Sequence, residues 1–180
     1  AVMRGGTSRI TGPKQIRKTR GLDMQKITPF LWFDGQAEEA ANFYVSVFKS
    51  GKITNIMRVG DAGPGPKGSV LVVGFEIEGV AFSALNGGPN FKINEAISFV
   101  VHCESQQEVD YYWGKLSEGG KEIQCGWLKD KFGVAWQVVP TAFFKLVADP
   151  DPGKVSRVMQ AMMKMVKFDI AALERAAEGE

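Results

Sequence analysis

The sequence predicts an α+β fold: two βαβββ modules forming a curved mixed sheet, followed by C-terminal helices. Three observations lead there. Gly79-Val80-Ala81-Phe82-Ser83 is echoed by Gly133-Val134-Ala135-Trp136-Gln137 at an offset of 54 residues. A helix-periodic stretch repeats at an offset of 69, with Glu39, Ala40, Phe43, Tyr44, Val47, Gly51 and Lys52 matching Glu108, Val109, Tyr112, Trp113, Leu116, Gly120 and Lys121. Each copy also reads in one order, strand, helix and three strands, and repeats at a fixed spacing mark duplicated structural units. The gap between the two offsets leaves the second copy fifteen residues shorter, a shortfall that the Gly60–Gly68 loop and trimmed second and third strands would supply. A chain of 180 residues allows one ordinary domain or two small modules sharing a core. The expected division is residues 1–23 as a basic extension or expression remnant, 24–88 and 89–140 as the two modules, and 141–180 as a helical tail.

Ile27–Phe33 is a short apolar run suited to a buried strand, with Pro29 at its start. Asp34 is placed to cap the helix that follows from about Gln36 to Lys49, where Ala40, Phe43, Tyr44, Val47 and Phe48 fall on one face. Ile53–Val59 and Ser69–Ile77 are the next strands, joined by the loop Gly60–Gly68, and Glu78-Gly79 turns into Val80–Leu85. In the second copy Ala96–His102 is a strand. Ser105 and Glu108 fit a capping box, each side chain reaching the other's backbone N–H. Val109, Tyr112, Trp113 and Leu116 give the helix its apolar face. Two short strands flank Gly126–Lys131, and Val134–Val139 closes the module. If the copies are modules of one fold, a pocket is expected between the two halves.

Beyond Pro140 the pattern turns helical. Asp151 can cap a helix with Pro152 in its first position, and Val155, Val158, Met159, Met162, Met163 and Val166 form its stripe. Such a stripe packs on the body or on a subunit partner, or serves as an adaptable surface. Asp169 starts a last short helix through Leu173.

Charge and composition narrow the function. Six Lys/Arg against one Asp place five positive charges on residues 1–23, so the rest of a chain of net charge +2 carries −3. A mildly acidic body argues against a phosphate-backbone surface, and no nucleic-acid partner is expected. The basic segment itself reads as an upstream extension, an expression remnant, a transit peptide or an arm, with Met24 as the natural start. No apolar run of about 18 residues is present, so no membrane partner is expected. No signal peptide is evident. Two cysteines, Cys103 and Cys125, make neither a disulfide framework nor metal-binding spacing, and a reduced cytoplasmic location is expected.

Several stretches together resemble the PhnB-like, or 3-demethylubiquinone-9 3-methyltransferase, branch of the vicinal oxygen chelate superfamily, the glyoxalase and bleomycin-resistance fold. They are Phe33-Asp34-Gly35 with Glu38-Glu39-Ala40 and Phe43-Tyr44, Ala84-Leu85-Asn86-Gly87-Gly88-Pro89, Ile97-Ser98-Phe99, Gly126-Trp127-Leu128-Lys129-Asp130, and Phe132-Gly133 with Trp136-Gln137. The resemblance implies a homodimer. It also implies where metal ligands would lie: on the first and last strand of each module, the last-strand ligand four residues after the turn glycine. Ser83 and Gln137 occupy those places, and the first-strand positions fall near Ile27–Pro29 and at Ala96 or Ser98. A divalent site needs several His or carboxylate ligands, these positions offer none, and no metal is expected. The family's methyltransferase label meets a second difficulty. The common S-adenosylmethionine fold uses a Gly-rich turn between a parallel strand and a helix, and no such turn is legible here. No cofactor is expected.

The remaining candidates each carry a plain structural alternative. Cys125 is a nucleophile or a packed thiol, and no histidine is evidently near to activate it. His102, the only histidine, is a general base or a strand-end hydrogen-bonding residue. Glu95 and Asp130 read as solvated, and Asn86 and Asn94 as turn residues. The best functional hint is aromatic. If Leu31 and Phe33 meet the helix, Phe30 and Trp32 face the concave side, joined by Ser83, Ser98 and Gln137. An apolar cavity with a few neutral polar groups suits a planar or amphipathic organic molecule. The leading expectation is a metal-free protein that binds a small hydrophobic or planar ligand. The alternatives are a metal-independent enzyme using His102, Cys125 or Gln137, the methyltransferase of the family label, and a dimeric interaction module.

Overall fold

The computed structural model describes residues 25–180, so the basic stretch and Met24 lie outside the described residues. The first module comprises β1 (Phe30–Phe33), α1 (Ala37–Val47), β2 (Lys52–Arg58), β3 (Val70–Ile77) and β4 (Val80–Asn86). The second comprises β5 (Ser98–Cys103), α2 (Gln106–Ser117), β6 (Lys121–Glu122), β7 (Trp127–Lys129) and β8 (Ala135–Pro140). The tail adds α3 (Thr141–Val147), α4 (Pro152–Met162) and α5 (Ile170–Glu178). No helix among the described residues is long and apolar enough to cross a membrane.

Each module folds into a four-stranded mixed sheet with the same wiring. Sheet 1 runs β1-β4-β3-β2 and sheet 2 runs β5-β8-β7-β6. In both, the first strand lies parallel to the last, a pairing that requires the intervening helix as crossover. The trimming of the second copy falls where expected: β6 and β7 have 2 and 3 residues, against 7 and 8 for β2 and β3. The hairpin between β3 and β4 turns on two residues of positive φ, Glu78 at 47° and Gly79 at 78°, which matches the twist of the flanking strands.

The two sheets share one core. Ala37, Ala40 and Ala41 are fully buried, and such small side chains let α1 sit close on its sheet. Tyr44 then bridges the halves: its ring stacks on Phe75 of β3 at 5.8 Å and leans on Trp136 of β8 at 5.5 Å. Phe48 stacks on Tyr112 of α2 at 5.2 Å, and Phe82 of β4 meets Phe99 of β5 edge-on at 5.2 Å. At the centre of this seam lies Asp130, only 3% exposed. Its carboxylate accepts from Tyr44 Oη at 2.8 Å, Trp136 Nε1 at 2.8 Å, Phe132 N at 2.9 Å and Val134 N at 3.0 Å.

That burial overturns the reading of Asp130 as solvated; the partner that encloses it arrives from the other module. Other local readings also change. Asp34 does not cap α1, whose first N–H, at Ala37, donates to Asn86 Oδ1 of β4 at 2.8 Å. Asn86 therefore serves the helix rather than a turn, and its amide nitrogen donates in turn to Val70 O at 3.0 Å. The capping box is half formed: Glu108 N donates to Ser105 Oγ, while the Glu108 carboxylate takes Glu104 N instead of Ser105 N. The second short strand of the module does not flank Gly126–Lys131 but runs inside it, as β7. Glu95 is exposed, and Asn94 accepts Ala96 N in a turn as expected.

In the tail, Asp151 and Asp169 do cap their helices, accepting Gly153 N at 2.8 Å and Ala172 N at 2.9 Å. α3, which the expected helical tail left unassigned, includes Phe143–Leu146 within its span. Of the expected α4 stripe only Val158 is fully buried, Val155 and Met162 are half-buried and Met159 stays exposed; Met163 and Val166, also exposed, lie beyond the end of the helix at Met162.

Candidate functional site

Strand alternation gives each sheet a helix face and an outer face. Leu31 and Phe33 join the core, which turns Phe30 and Trp32 outward on sheet 1. Ser83 lies beside Phe30 in the parallel register and opposite Gly74. Phe30 is 59% exposed, while Trp32 is held in place. Its indole N–H donates to Gly88 O at 2.8 Å and its ring meets the edge of Phe91 at 4.9 Å. A Cβ on Gly87 would come within 2.3 Å of the same indole, so glycine is what lets Trp32 lie there. Phe30 and Trp32 line one cleft of about 240 Å³ with Phe91, Ile97 and Phe99. Ser98 and Gln137 belong to sheet 2 and are joined by a hydrogen bond, Gln137 Nε2 to Ser98 Oγ at 2.9 Å. The five residues singled out from the sequence thus form two groups on two sheets, one aromatic with Ser83 beside it and one polar.

A larger cavity, also built by both halves, lies between them. Pro29, Phe48, Ile77, Val80 and Phe82 from the first module face Phe99, Val101, Tyr112 and Trp136 from the second around about 470 Å³. This is within the usual size range of small-molecule sites, and its walls have their character: mostly apolar, with a few polar groups. Phe82 and Trp136, the aromatics of the two repeated strands, are both in the wall. Those positions are where the sequence held a signal for this cavity, through the Gly79–Ser83 echo. Phe48 reaches it from the end of α1 and Tyr112 from the middle of α2, and neither belongs to that echo.

The polar rim consists of Lys49, Glu78, His102 and Glu108. The Glu108 carboxylate pairs with Lys49 at 3.5 Å. Its pKa is held below the ordinary value, first by the Glu104 N–H and then by the Lys49 charge. His102 is exposed and its ring sits 5.4 Å from that of Phe144. Cys103, next in β5, is buried; burial and the nearby Glu108 and Glu104 charges push its thiol up to about 12, so it remains a protonated core residue. A wider cleft of about 760 Å³ lies under the Gly60–Gly68 loop, with Trp32, Asp34 and Glu38 in its wall.

A divalent metal does not fit the family's ligand positions here. Ser83, Ser98 and Gln137 are neutral, and no group of three His, Cys, Asp or Glu side chains among the described residues is arranged to hold an ion. The Gly60–Gly68 loop joins the antiparallel strands β2 and β3, not a parallel strand and a helix.

Two βαβββ modules, each closing its first strand parallel on its last, define a protein of the glyoxalase and bleomycin-resistance class, the vicinal oxygen chelate fold. Within that class the chain belongs to the 3-demethylubiquinone-9 3-methyltransferase family, whose model matches residues 25–139. Among solved structures it is similar to the Bacillus cereus PhnB protein, described as a 3-demethylubiquinone-9 3-methyltransferase. The two share 38% identity and a TM-score of 0.60, over 65% of this chain and 100% of that one. A protein from Pseudomonas aeruginosa shares 25% identity and a TM-score of 0.55, over 65% of this chain and 98% of that one. No curated protein sequence matches the chain.

Proposed function

We propose that the protein binds a small hydrophobic or planar organic molecule, without a metal, in the cavity between its modules. The observation that carries this reading is the convergence of Phe48, Phe82, Phe99, Tyr112 and Trp136 on one space of about 470 Å³ whose charged groups stay at the rim. Flat aromatic walls favour a planar ligand through offset or edge contacts, each worth about 0.5–1.5 kcal/mol beyond burial. The rim charges favour a molecule with one polar end. The experiment is ligand-observed NMR of the chelator-treated protein against a panel of planar aromatic compounds. Val80 is 41% exposed at the cavity wall, so Val80→Trp blocks the space without overfilling the core. Compounds that bind wild type and not Val80→Trp support the reading; binding that ignores this substitution refutes it.

A metal-independent enzyme is the second reading, favoured by the presence of His102, the only histidine of the chain, at the rim of the same cavity. Turnover of a bound compound that disappears in His102→Asn while binding persists would establish it. The methyl transfer named by the family label has no S-adenosylmethionine motif behind it, and tight calorimetric binding of that cofactor would reinstate it. We propose further that the protein works as a homodimer, since Phe30 and Met57 leave the outer face of sheet 1 with large exposed apolar side chains, 59% and 53% exposed. Sedimentation at micromolar concentration reads this directly. A cytoplasmic location is proposed on the same footing, from the two unpaired cysteines.

A further inference from the structure

The outer face of sheet 2 is covered by the chain's own tail, and the cover leaves a space. Val100, Trp127 and Gln137 lie side by side across β5, β7 and β8 in register, with Val139 two residues on along β8, all on the face away from α2. Over them come Phe143 and Phe144 of α3, Met162 of α4 and Phe168. Between floor and roof is a cavity of about 260 Å³, with Cys125 at its side.

The roof is anchored. Cys125 N donates to Met165 O and Gly126 N to Val166 O, both at 2.8 Å. The Gln106 amide holds both sides of the same segment, donating to Phe168 O at 3.1 Å and accepting Ile170 N at 2.9 Å. Gly126 has φ +79°, and a Cβ there would stand 2.4 Å from the Phe168 ring, so the ring rests directly on the turn. Phe168 is 2% exposed. The family match ends at residue 139, so every roof residue lies beyond it.

We propose that the C-terminal tail builds a second small-molecule site on sheet 2, which accepts a one- or two-ring aromatic molecule carrying a single hydrogen-bond donor. Size and wall set the class: the space falls just below the roughly 300–1,000 Å³ of drug-sized sites, and its lining is aromatic and aliphatic except for Gln137 and Cys125. Gln137 gives one of its two amide N–H groups to Ser98 Oγ, and its amide oxygen remains as the acceptor this side chain brings to the cavity. The site stands apart from the cavity between the modules, since Val100 is the one residue that lines both.

Cys125 makes the proposal readable in the intact protein. Cys103 is fully buried with its thiol pushed up to about 12, so a thiol reagent applied to the folded chain reports Cys125. The experiment measures the rate of that modification in the presence of 2-naphthol and of its O-methyl ether, which lacks the donor. Saturating 2-naphthol slows the reaction at least about five-fold, and the ether needs about five-fold more compound for the same protection, the effect of one net hydrogen bond. Gln137→Leu erases the difference between the two compounds, and Met162→Trp, which adds bulk from a half-buried position, removes the protection. Both wild-type measurements stand without any variant. A modification rate indifferent to 2-naphthol up to its solubility limit overturns the proposal. So does equal protection by the ether, or protection that vanishes in Val80→Trp, since the naphthol would then sit between the modules.

Discussion

At the scale of single residues, Asp130 decides more than any other polar group among the described residues. It joins Tyr44 of the first module to Trp136 of the second through one carboxylate with four donors. Burial raises its pKa above the ordinary 3.8, against the opposing pull of Trp136, Tyr44 and the two backbone N–H groups. Burial and the same carboxylate also raise the pKa of Tyr44 well above 10.0, keeping its hydroxyl a donor. A raised folded-state pKa means that the fold holds the proton more tightly than the unfolded chain. The stability contributed by this ionisation is therefore fully present below 3.8 and is lost as pH rises through the folded pKa. Asp130→Asn turns an amide N–H toward donors that cannot all reverse, and is expected to cost about 1–3 kcal/mol. The stability gap between wild type and variant should narrow as pH rises through that window; denaturant titrations across the acid range that show it widening would contradict this. Sequence reading missed the residue for a definite reason. Lys129-Asp130-Lys131 before Gly133 looks like a solvated hairpin, and the enclosing tyrosine is 86 positions away.

At the scale of elements, periodicity is a good guide, and end chemistry is a good guide everywhere but at α1. The apolar faces of α1 and α2, the strand order and the caps of α4 and α5 were all legible, because each depends on residues near one another in sequence. The cap of α1 was not. Asp34 lies two residues before the cap position, Gln36, and the acceptor comes from Asn86, brought alongside by the parallel pairing of β1 with β4. The two readings separate cleanly by mutation. Asn86→Ala should lower stability by about 0.5–2 kcal/mol, since it removes a helix cap and a bond to Val70 O. Asp34→Ala should stay within about 0.5 kcal/mol of wild type. Equal losses in thermal melts of the two variants would restore Asp34 as the cap. α3 escaped notice because Phe143-Phe144-Lys145-Leu146 is too short for helical periodicity to stand out from a strand; the face it covers is defined only in three dimensions.

At the scale of the whole molecule, duplication explains both the fold and the place of the cavity. Two copies of one module bury their helix faces against each other, and the space left at that seam collects the aromatics of both repeated strands. The family resemblance implies where metal ligands would sit, and Ser83 and Gln137 stand in those places. The neutral ligand positions and the Gly79–Ser83 echo could be read in the sequence. The cavity wall could not, because Phe48, Phe99 and Tyr112 meet only when the modules pack. Native mass spectrometry of the chain purified from the cells that make it, read alongside its metal content, shows directly what the cavity holds. Metal-free binding between the modules predicts a single organic adduct per chain, no transition metal, and loss of the adduct in Val80→Trp. Nickel, zinc or iron at full occupancy, or an adduct unchanged by that substitution, would contradict it.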